Sequence, residues 1–310
     1  MQPTSAATIQ TLMTVRDYIR WAASRFSEAG LFHGHGTATA LDDAAALVLH
    51  SLHLPYNLSE SYFSARLTNT EREKIVDLVN RRISSRIPSA YLMHEAIFAG
   101  LPFYVDERVL VPRSPIAELI QEQFSPWVDA DSIGHVLDLC TGSACIAIAC
   151  AYAFPDALVD AVDLSEEALD VAKINLAKHG LAEQLTLYHS DLFSALPAQK
   201  YDLIVSNPPY VAIAEWEQLP AEFHAEPEMG FTGGESGLDL VIKILVDAAD
   251  YLSEQGILVI EVGSSAETLQ EKFPDIPFYW LNFENGGDGV FLLTAEQVFV
   301  FNEQFKAALR

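Results

Sequence analysis

From Ser132 onward, short apolar runs of strand length alternate with longer runs that have helical spacing. One helical run starts after Ser165, a typical N-cap residue, and stops at Gly180, a typical terminator. Alternation of this kind is typical of a mainly parallel sheet covered by helices on both faces. The last apolar runs, PFYWLNF and VFLLT, flank the Gly-rich turn ENGGDG and predict an antiparallel hairpin at the sheet edge. The other predicted strands are HVLDL, ALVDAVD, QLTLYH, YDLIVS and GILVIEV. The sequence therefore predicts a doubly wound α/β domain.

The first 86 residues carry three runs with helical spacing, at 8–26, 41–54 and 70–86. These runs predict a small helical bundle, with Arg81, Arg82 and Arg86 at a solvated helix end. At 95–111 the pattern changes to short apolar runs that predict a hairpin. We therefore predict a helical N-terminal domain at 1–90, a hairpin linker at 91–114 and the α/β domain at 115–310.

Negative charge is concentrated in one part of the chain. The 310 residues carry 18 Lys and Arg against 43 Asp and Glu, a formal charge of −25. Residues 1–110 hold 10 basic and 11 acidic residues, whereas residues 111–310 hold 8 and 32. Such a surface repels phosphate backbones and attracts basic partners. We therefore expect a basic partner and no direct binding of duplex nucleic acid.

Cysteine and histidine spacings indicate neither a disulfide framework nor a metal site. Cys140, Cys145 and Cys150 lie five residues apart, which predicts buried thiols in a reducing compartment. Four histidines of the helical part match no ligand spacing, so no metal is expected: His33, His35, His50 and His53. The longest apolar stretch, 136–154, is interrupted by polar residues, and no secretory signal is visible. A soluble cytoplasmic protein without a membrane segment is expected.

Carboxylates and a small-residue turn follow the predicted strands of the α/β domain. Asp138 is the penultimate residue of the first strand and orients the turn at 141–144, where a ligand could approach free backbone N–H groups. Asp163 closes the second strand, where a carboxylate can accept both hydroxyls of a ribose. Asp191 follows the third strand and is placed to bind an adenine amino group. These features predict a nucleoside cofactor, either a nicotinamide dinucleotide or S-adenosylmethionine. Because the turn is not GxGxxG, a pyrophosphate is disfavoured.

The fourth predicted strand is followed directly by Asn207, Pro208, Pro209 and Tyr210. A planar amide or aromatic amine is a poor nucleophile because its nitrogen lone pair is delocalised, so it must be held with that lone pair aimed at a sulfonium methyl. The Asn207 side chain and the Pro208 backbone offer carbonyls that accept its N–H groups on a stiff Pro-Pro segment. Tyr210 offers a flat apolar wall. Alone, the tetrapeptide could be a simple strand-ending turn. After the cofactor turn and two carboxylates, it predicts methyl transfer to a planar nitrogen.

With these motifs, the chain resembles the S-adenosylmethionine-dependent methyltransferases with an NPPY motif that modify glutamine side-chain amides in proteins of the translation machinery. The resemblance covers nearly the whole chain. It implies the class I methyltransferase fold, S-adenosyl-L-methionine as cofactor, and substrate recognition by the helical N-terminal domain. It implies that the substrate glutamine is held by Asn207, Pro208, Pro209 and Tyr210. It assigns the cofactor to Asp138, Thr141, Gly142, Ser143, Ala144, Asp163, Asp191 and Asn207, with Phe98 and Arg113 along its open side.

Within this family, one branch acts on peptide chain release factors and one on the third protein of the large ribosomal subunit. Residues 109–120, VLVPRSPIAELI, resemble the ribosomal-protein branch, because the release-factor branch typically has PRxxTE there. The segment ENGGDGVFLLT also resembles the ribosomal-protein branch. The family usually has Gly where this chain has Ala144. We expect a negative φ at Ala144, at which Ala is harmless.

Three other functions remain open at this point. A DNA adenine methyltransferase would hold a flipped base in the same pocket, but it needs a basic surface for the duplex. Residues 201–242 instead contain no Lys or Arg and eight acids: Asp202, Glu215, Glu217, Glu222, Glu226, Glu228, Glu235 and Asp239. Release-factor methylation is disfavoured by the linker alone. A non-catalytic assembly factor that keeps the fold and cofactor is disfavoured by the intact NPPY motif.

Overall fold

The computed structural model describes residues 5–309, and the chain divides into two compact units. The first unit comprises Met1–Ala96 with Pro220–Ala225, and the second comprises Ile97–Leu219 with Glu226–Arg310. A short segment from the α/β half of the sequence thus belongs to the helical unit. The division at residues 90 and 114, and the recognition role of the N-terminal part, stay predictions.

The α-helices described in the first unit are α1 (Ser5–Thr11), α2 (Val15–Glu28), α3 (Ala40–Ser51), α4 (Asn69–Ser85) and α5 (Ser89–Met93). The prediction of one continuous helix at 8–26 is wrong, because Thr14 ends the run and caps α2. Its Oγ1 accepts the Asp17 N–H at 3.2 Å, and the Asp17 carboxylate accepts the Thr14 N–H at 2.9 Å. In this reciprocal capping box, side chains accept the N–H groups of Thr14 and Asp17. In a continuous helix, backbone carbonyls would accept them.

The prediction that the arginines near the end of α4 are solvated is wrong for Arg82. Its side chain is 2% exposed, and its Nε lies 3.3 Å from Oδ2 of Asp43, which is 3% exposed. Its Nη1 and Nη2 donate to the carbonyls of Arg86 and Phe32, both at 3.2 Å. Arg81, one residue earlier, is exposed. Arg82 is therefore an internal ion-pair partner that joins α4 to α3.

The segment Pro220–Ala225 is attached to the helical unit through Glu222. The Glu222 side chain is fully buried, and its Oε1 accepts from Arg86 Nη1 at 2.7 Å and from the Phe32 N–H at 3.1 Å. Beside it, the Phe223 ring packs on His35 and Phe32, with centroid distances of 4.5 and 5.2 Å. Glu222 therefore binds inside its own unit instead of adding to an exposed acidic surface.

A two-stranded hairpin, β1 (Ala96–Phe98) with β2 (Leu101–Phe103), precedes α6 (Ile116–Gln121). It lies in the region predicted as a hairpin, but the third apolar run of that region, RVLVP, is not a strand. The Val111 N–H instead donates to the Glu226 carboxylate at 2.8 Å. Val109, Val111 and Pro112 of this run are buried although the run forms no strand.

In the described part of the chain, seven strands form the main sheet in the order β5-β4-β3-β6-β7-β9-β8. Strands β3 to β7 pair in parallel, and β9 is antiparallel to both β7 and β8. The predicted parallel sheet and its antiparallel C-terminal hairpin are thereby confirmed, whereas the final helix was not predicted. In chain order, the elements are β3 (His135–Leu139), α7 (Cys145–Ala153), β4 (Leu158–Asp163), α8 (Glu166–His179), β5 (Leu185–His189), β6 (Tyr201–Ser206), α9 (Ile213–Trp216), α10 (Asp239–Asp247), β7 (Leu252–Glu261), α11 (Ala266–Lys272), β8 (Tyr279–Trp280), β9 (Val290–Thr294) and α12 (Ala295–Ala308).

Both faces of this sheet are buried by helices. Val136 of β3 belongs to the apolar core that contains residues of α6, α7 and α8. Its neighbour Leu137 belongs to the core on the other face, with residues of α10, α11 and α12. The predicted caps of α8 are confirmed, since Ser165 Oγ accepts the Ala168 N–H at 3.1 Å and Gly180 has φ +70°. No helix within residues 5–309 has both the length and the apolar character needed to cross a membrane.

Candidate active site

A cavity of about 240 Å³ lies at the carboxyl ends of the central strands, far larger than one water requires. The strand order reverses between β3 and β6, and ligands of open α/β sheets bind at such a switch point. The predicted site residues that line the cavity are Arg113, Thr141, Gly142, Ser143, Asp163, Asp191, Asn207 and Pro209. Those outside its lining are Phe98, Asp138, Ala144, Pro208 and Tyr210.

The turn between β3 and α7 alternates through the left-handed region. Cys140, Gly142 and Ala144 have φ values of +59°, +54° and +62°. The prediction of a negative φ at Ala144 is therefore wrong. The chain must pass from strand to helix within five residues, and Ala144 closes a turn by donating its N–H to the Thr141 carbonyl at 2.9 Å. Its own carbonyl accepts the Ile148 N–H of α7 at 2.9 Å, so Ala144 also starts the helix.

Replacing Ala144 with Gly is expected to leave the free energy of unfolding nearly unchanged. Glycine removes the cost of a left-handed alanine, which is about 1–2 kcal/mol. Against this, loss of a fully buried methyl group costs about 0.8 kcal/mol, and the greater entropy of the unfolded chain costs about 0.5–1 kcal/mol. The matched control is Ala147→Gly in α7, which loses an equally buried methyl without relief of φ. We expect that control to lose about 1.5–2 kcal/mol in urea unfolding. An equal loss of unfolding free energy in both variants would show that the left-handed φ of Ala144 costs no stability.

Asp138 organises the turn from beneath. It is fully buried, and its Oδ2 accepts from Thr141 Oγ1 at 2.5 Å and from the Ala147 N–H at 3.1 Å. Its Oδ1 has no hydrogen-bond partner among the residues that the structure describes. Burial raises the pKa of Asp138 to about 7. Because this carboxyl group already accepts an N–H at the start of α7, that N–H is not free to bind a dinucleotide pyrophosphate. The turn fits a cofactor without phosphates.

Asp163 joins two loops at the end of β4. Its Oδ2 accepts the Gly142 N–H and its Oδ1 accepts the Ser165 N–H, each at 2.8 Å. Burial raises the pKa of Asp163 in spite of these hydrogen bonds. Each oxygen keeps acceptor capacity for a hydroxyl group. Asp191, after β5, is an exposed carboxylate on the same cavity. This donor set suits ribose hydroxyls and amino groups.

Arg113 is fixed at the cavity wall by Glu226. Its Nη1 donates to Glu226 Oε1 at 2.9 Å, and its guanidinium lies 5.5 Å from the centroid of Phe231. The Glu226 side chain is fully buried. Phe98 instead packs in the core, where its ring lies 6.4 Å from Phe103, and it is 3% exposed. Its position gives no support to a cofactor contact.

The NPPY segment leaves the end of β6 with its first residue at the cavity. The half-buried Asn207 side chain makes no hydrogen bond to any residue within 5–309, so its amide group is uncommitted. Pro208 is buried. Tyr210 is not part of the cavity lining, and its hydroxyl donates to Glu261 Oε1 at 3.0 Å. The structure thus brings Asn207 to the predicted cofactor residues and places Tyr210 against a buried carboxylate.

Sequence reasoning missed Glu226 and Glu261. Glu261 ends the apolar strand β7, as Asp138 and Asp163 stand at the ends of theirs, so the same signal was available. Glu226 gave no such signal because it lies in an acidic run that resembles a solvated surface. Within residues 5–309, no group of three or more His, Cys, Asp or Glu is arranged to hold a metal ion.

The sheet order, the antiparallel β9 and the cavity after β3, β4 and β6 define a class I methyltransferase, whose cofactor is S-adenosyl-L-methionine. Residues 121–224 match the family model described as methyltransferase small domain. A methyltransferase structure from Pyrococcus furiosus is 18% identical, with a TM-score of 0.45, and the match covers 63% of this chain and 89% of that one.

Two curated relatives are similar over nearly their whole length. The ribosomal protein uL3 glutamine methyltransferase of Francisella tularensis subsp. tularensis is 46% identical over 299 residues, which cover 96% of this chain and 95% of that protein. The enzyme of the same name from Neisseria meningitidis serogroup A is 49% identical over 291 residues, which cover 93% and 95%. The chain belongs to the family of ribosomal protein uL3 glutamine methyltransferases. The predicted family and branch are confirmed.

Proposed function

We propose that this chain transfers a methyl group to the side-chain amide nitrogen of one glutamine in ribosomal protein uL3. Support comes from relatives that carry this activity in their names and match over more than nine tenths of both chains. The observation that carries the proposal is the uncommitted amide of Asn207, which stands at the end of β6 in the lining of the cavity. Since uL3 is a ribosomal protein, the enzyme would work in the cytoplasm.

In this proposal, the NPPY segment orients the glutamine amide. The Asn207 side-chain carbonyl and the Pro208 backbone carbonyl would accept the two N–H groups of the amide. The nitrogen lone pair, normally delocalised into the carbonyl, would then point at the methyl group to be transferred. Tyr210 would form the wall beside the amide plane. The methylated amide can lose its extra proton to water, so the chain needs no general base.

S-adenosyl-L-methionine supplies an electrophilic methyl group on a sulfonium when it is bound. We propose that Asp163 accepts its ribose hydroxyls and that Asp191 binds its adenine amino group. The turn residues Thr141, Gly142 and Ser143 would face it with their backbone, and Arg113 would close the open side. The acidic lining also favours a cationic ligand, since Glu167 stands on the same wall.

Five of the eight acids at 201–242 remain available to a basic partner. The exposed ones are Glu215, Glu217, Glu228, Glu235 and Asp239. Glu222 and Glu226 are buried carboxylates paired with Arg86 and Arg113. Asp202 accepts the Gly134 N–H at 2.9 Å and Ser253 Oγ at 2.8 Å. The acidic surface expected from all eight residues therefore consists of these five. They follow the NPPY segment in sequence and suit a basic ribosomal protein.

Raising the salt concentration from 0.05 to 0.5 M is expected to raise the KM for uL3 about tenfold, because screening weakens long-range attraction between exposed charges. The Kd of S-adenosylmethionine, measured by calorimetry, should change less than about twofold. Changing Glu217, Glu228 and Glu235 together to Gln should reproduce the rise at low salt. The matched control changes three other exposed acids, Glu254, Glu271 and Glu296, to Gln. If the KM for uL3 does not change with salt, or if it rises equally in the control variant, the five acids do not attract uL3 and the negative charge serves solubility only.

The proposed function is tested by transfer of a radiolabelled methyl group. The purified enzyme is incubated with labelled S-adenosylmethionine and, separately, with uL3, a peptide chain release factor and duplex DNA. Label is expected in uL3 alone, and peptide mapping should place it on one glutamine. Label in the release factor alone would assign the chain to the other branch, and label in DNA alone, or in no substrate, would overturn the proposal.

A further inference from the structure

Glu261 is a buried carboxylate that holds two hydroxyl groups at the carboxyl end of β7. Its Oε1 accepts the Tyr210 hydroxyl at 3.0 Å, and its Oε2 accepts Ser114 Oγ at 2.5 Å. The residue is 6% exposed. Neither Glu261 nor Tyr210 lines the cofactor cavity, so the pair stands beside that cavity and not in it.

Two further contacts fix Tyr210. Its backbone carbonyl accepts Ser265 Oγ at 2.7 Å. The edge of its ring lies so close to Gly263 that a Cβ at that glycine would sit 2.5 Å from Tyr210 Cε2. The ring is therefore held at its hydroxyl, at its backbone and along one edge. Of these contacts, the one with Glu261 acts at the far end of the side chain, where it controls the tilt of the ring most directly.

The two hydroxyl donors favour the ionised form of Glu261, against the effect of its burial. A carboxylate accepts hydrogen bonds at both oxygens, whereas a protonated carboxyl group must donate from one of them. Burial raises the pKa of Glu261, while the two hydroxyls and the nearby Arg113 oppose that rise. Burial and the Glu261 charge also raise the pKa of Tyr210, so its hydroxyl stays a donor. The arrangement is a charge-assisted pair in an apolar setting, the kind of hydrogen bond that best fixes a side chain.

Ser114 connects the pair to the linker. Its Oγ accepts the Ile116 N–H at 3.2 Å at the start of α6 while it donates to Glu261. Ser114 lines the cavity and belongs to residues 109–120, the segment that resembles the ribosomal-protein branch. Glu261 thus joins this segment to the NPPY segment.

We propose that Glu261 is a positioning residue for methyl transfer: by binding Tyr210 and Ser114, it sets the ring against which the substrate amide lies. The inference rests on the proposed function, in which Tyr210 forms a wall of the glutamine site. Glu261 acts through Tyr210 and touches neither substrate nor cofactor in this proposal.

A double-mutant cycle on Glu261→Gln and Tyr210→Phe tests the proposal. Each single variant is expected to lower kcat for uL3 methylation about tenfold, the usual effect of losing a hydrogen bond to a charged group. Glu261→Gln removes the charge and leaves one side-chain oxygen to accept two hydroxyl groups, while Tyr210→Phe removes one of those hydroxyls. Because both changes weaken the same charge-assisted hydrogen bond, the double variant should also lose about tenfold instead of about a hundredfold. The KM and the Kd of S-adenosylmethionine should stay within about twofold of wild type, since neither residue lines the cavity.

The chain offers a matched control on the same sheet. The Tyr201 hydroxyl donates to Asp160 Oδ2 at 2.7 Å, and both residues are buried. Tyr201 is the first residue of β6, at the end of the strand opposite the NPPY segment. Tyr201→Phe and Asp160→Asn should lower the unfolding temperature as the test variants do, but leave kcat within about twofold of wild type.

Three results would overturn the positioning role. These are wild-type kcat in Glu261→Gln, a hundredfold loss in the double variant, and an equal loss of kcat in the control pair. Failure of the wild-type enzyme to methylate uL3 is a different result, because it overturns the proposed function itself.

Discussion

Replacing Asn207 with alanine is expected to lower kcat for uL3 methylation about 10²- to 10³-fold, because an amide nucleophile that is not held in line rarely presents its lone pair. The variant should keep the wild-type unfolding temperature to within about 3 °C, since the Asn207 side chain makes no hydrogen bond within residues 5–309 and leaves no partner unsatisfied. Loss of activity without loss of stability is the expected result for a residue whose side chain is reserved for a ligand.

Asn302→Ala is the matched control for Asn207→Ala. Asn302 is 8% exposed, and its Nδ2 donates to the Val246 carbonyl at 2.7 Å. Removing that amide should cost about 1–2 kcal/mol of unfolding free energy and leave kcat unchanged. The same chemical change is therefore expected to lower kcat but not stability at Asn207, and to lower stability but not kcat at Asn302. Steady-state kinetics and thermal unfolding are measured for both variants. A kcat of Asn207→Ala within tenfold of wild type would contradict the role of Asn207 in holding the substrate amide.

Replacing Arg82 with methionine is expected to lower the free energy of unfolding of the helical unit by about 3–5 kcal/mol, the usual effect of removing one member of a buried ion pair. Methionine keeps most of the apolar volume but leaves Asp43 without its guanidinium partner. Burial alone would raise the pKa of Asp43, yet His33 and Arg82 hold it below its ordinary value. In the variant, Asp43 must therefore either stay charged at high cost or take up a proton.

Arg81→Met is the control for this change, because Arg81 precedes Arg82 on α4 and is exposed. It should alter the free energy of unfolding by less than about 0.5 kcal/mol. Hydrogen–deuterium exchange of α3 and α4 in the intact protein reports on this unit separately from the sheet. Protection that falls equally in both variants, or in neither, would show that the Arg82–Asp43 pair does not stabilise the unit.

The central strands β3, β4, β6 and β7 could be predicted because both faces of the sheet are buried there, which makes most of each strand an apolar run. The break at Thr14 was missed although its local signal, Thr14 followed by Asp17, is present in the sequence. The burial of Arg82 could not be predicted, since its partner Asp43 lies 39 residues away and no periodicity relates the two.

For the candidate site, the sequence placed carboxylates and the NPPY segment at strand ends, and the topology then brings them to one edge. The conformation at Ala144 was not predictable in this way. A left-handed φ there follows from the tight passage between β3 and α7, and an alanine gives no sign of it. Glu226 was missed because burial of one acid among many depends on Arg113, more than a hundred residues earlier.

The assignment of Pro220–Ala225 to the helical unit means that the N-terminal part is not a detachable module. A fragment starting at residue 97 would still contain Glu222 and Phe223 but would lack Arg86 and Phe32, to which they bind. A carboxylate and a large ring would then be released into solvent shortly after the NPPY segment. A chimera that takes its first 96 residues from a relative must therefore also take residues 220–225 from it, so the two stretches are expected to change together in evolution.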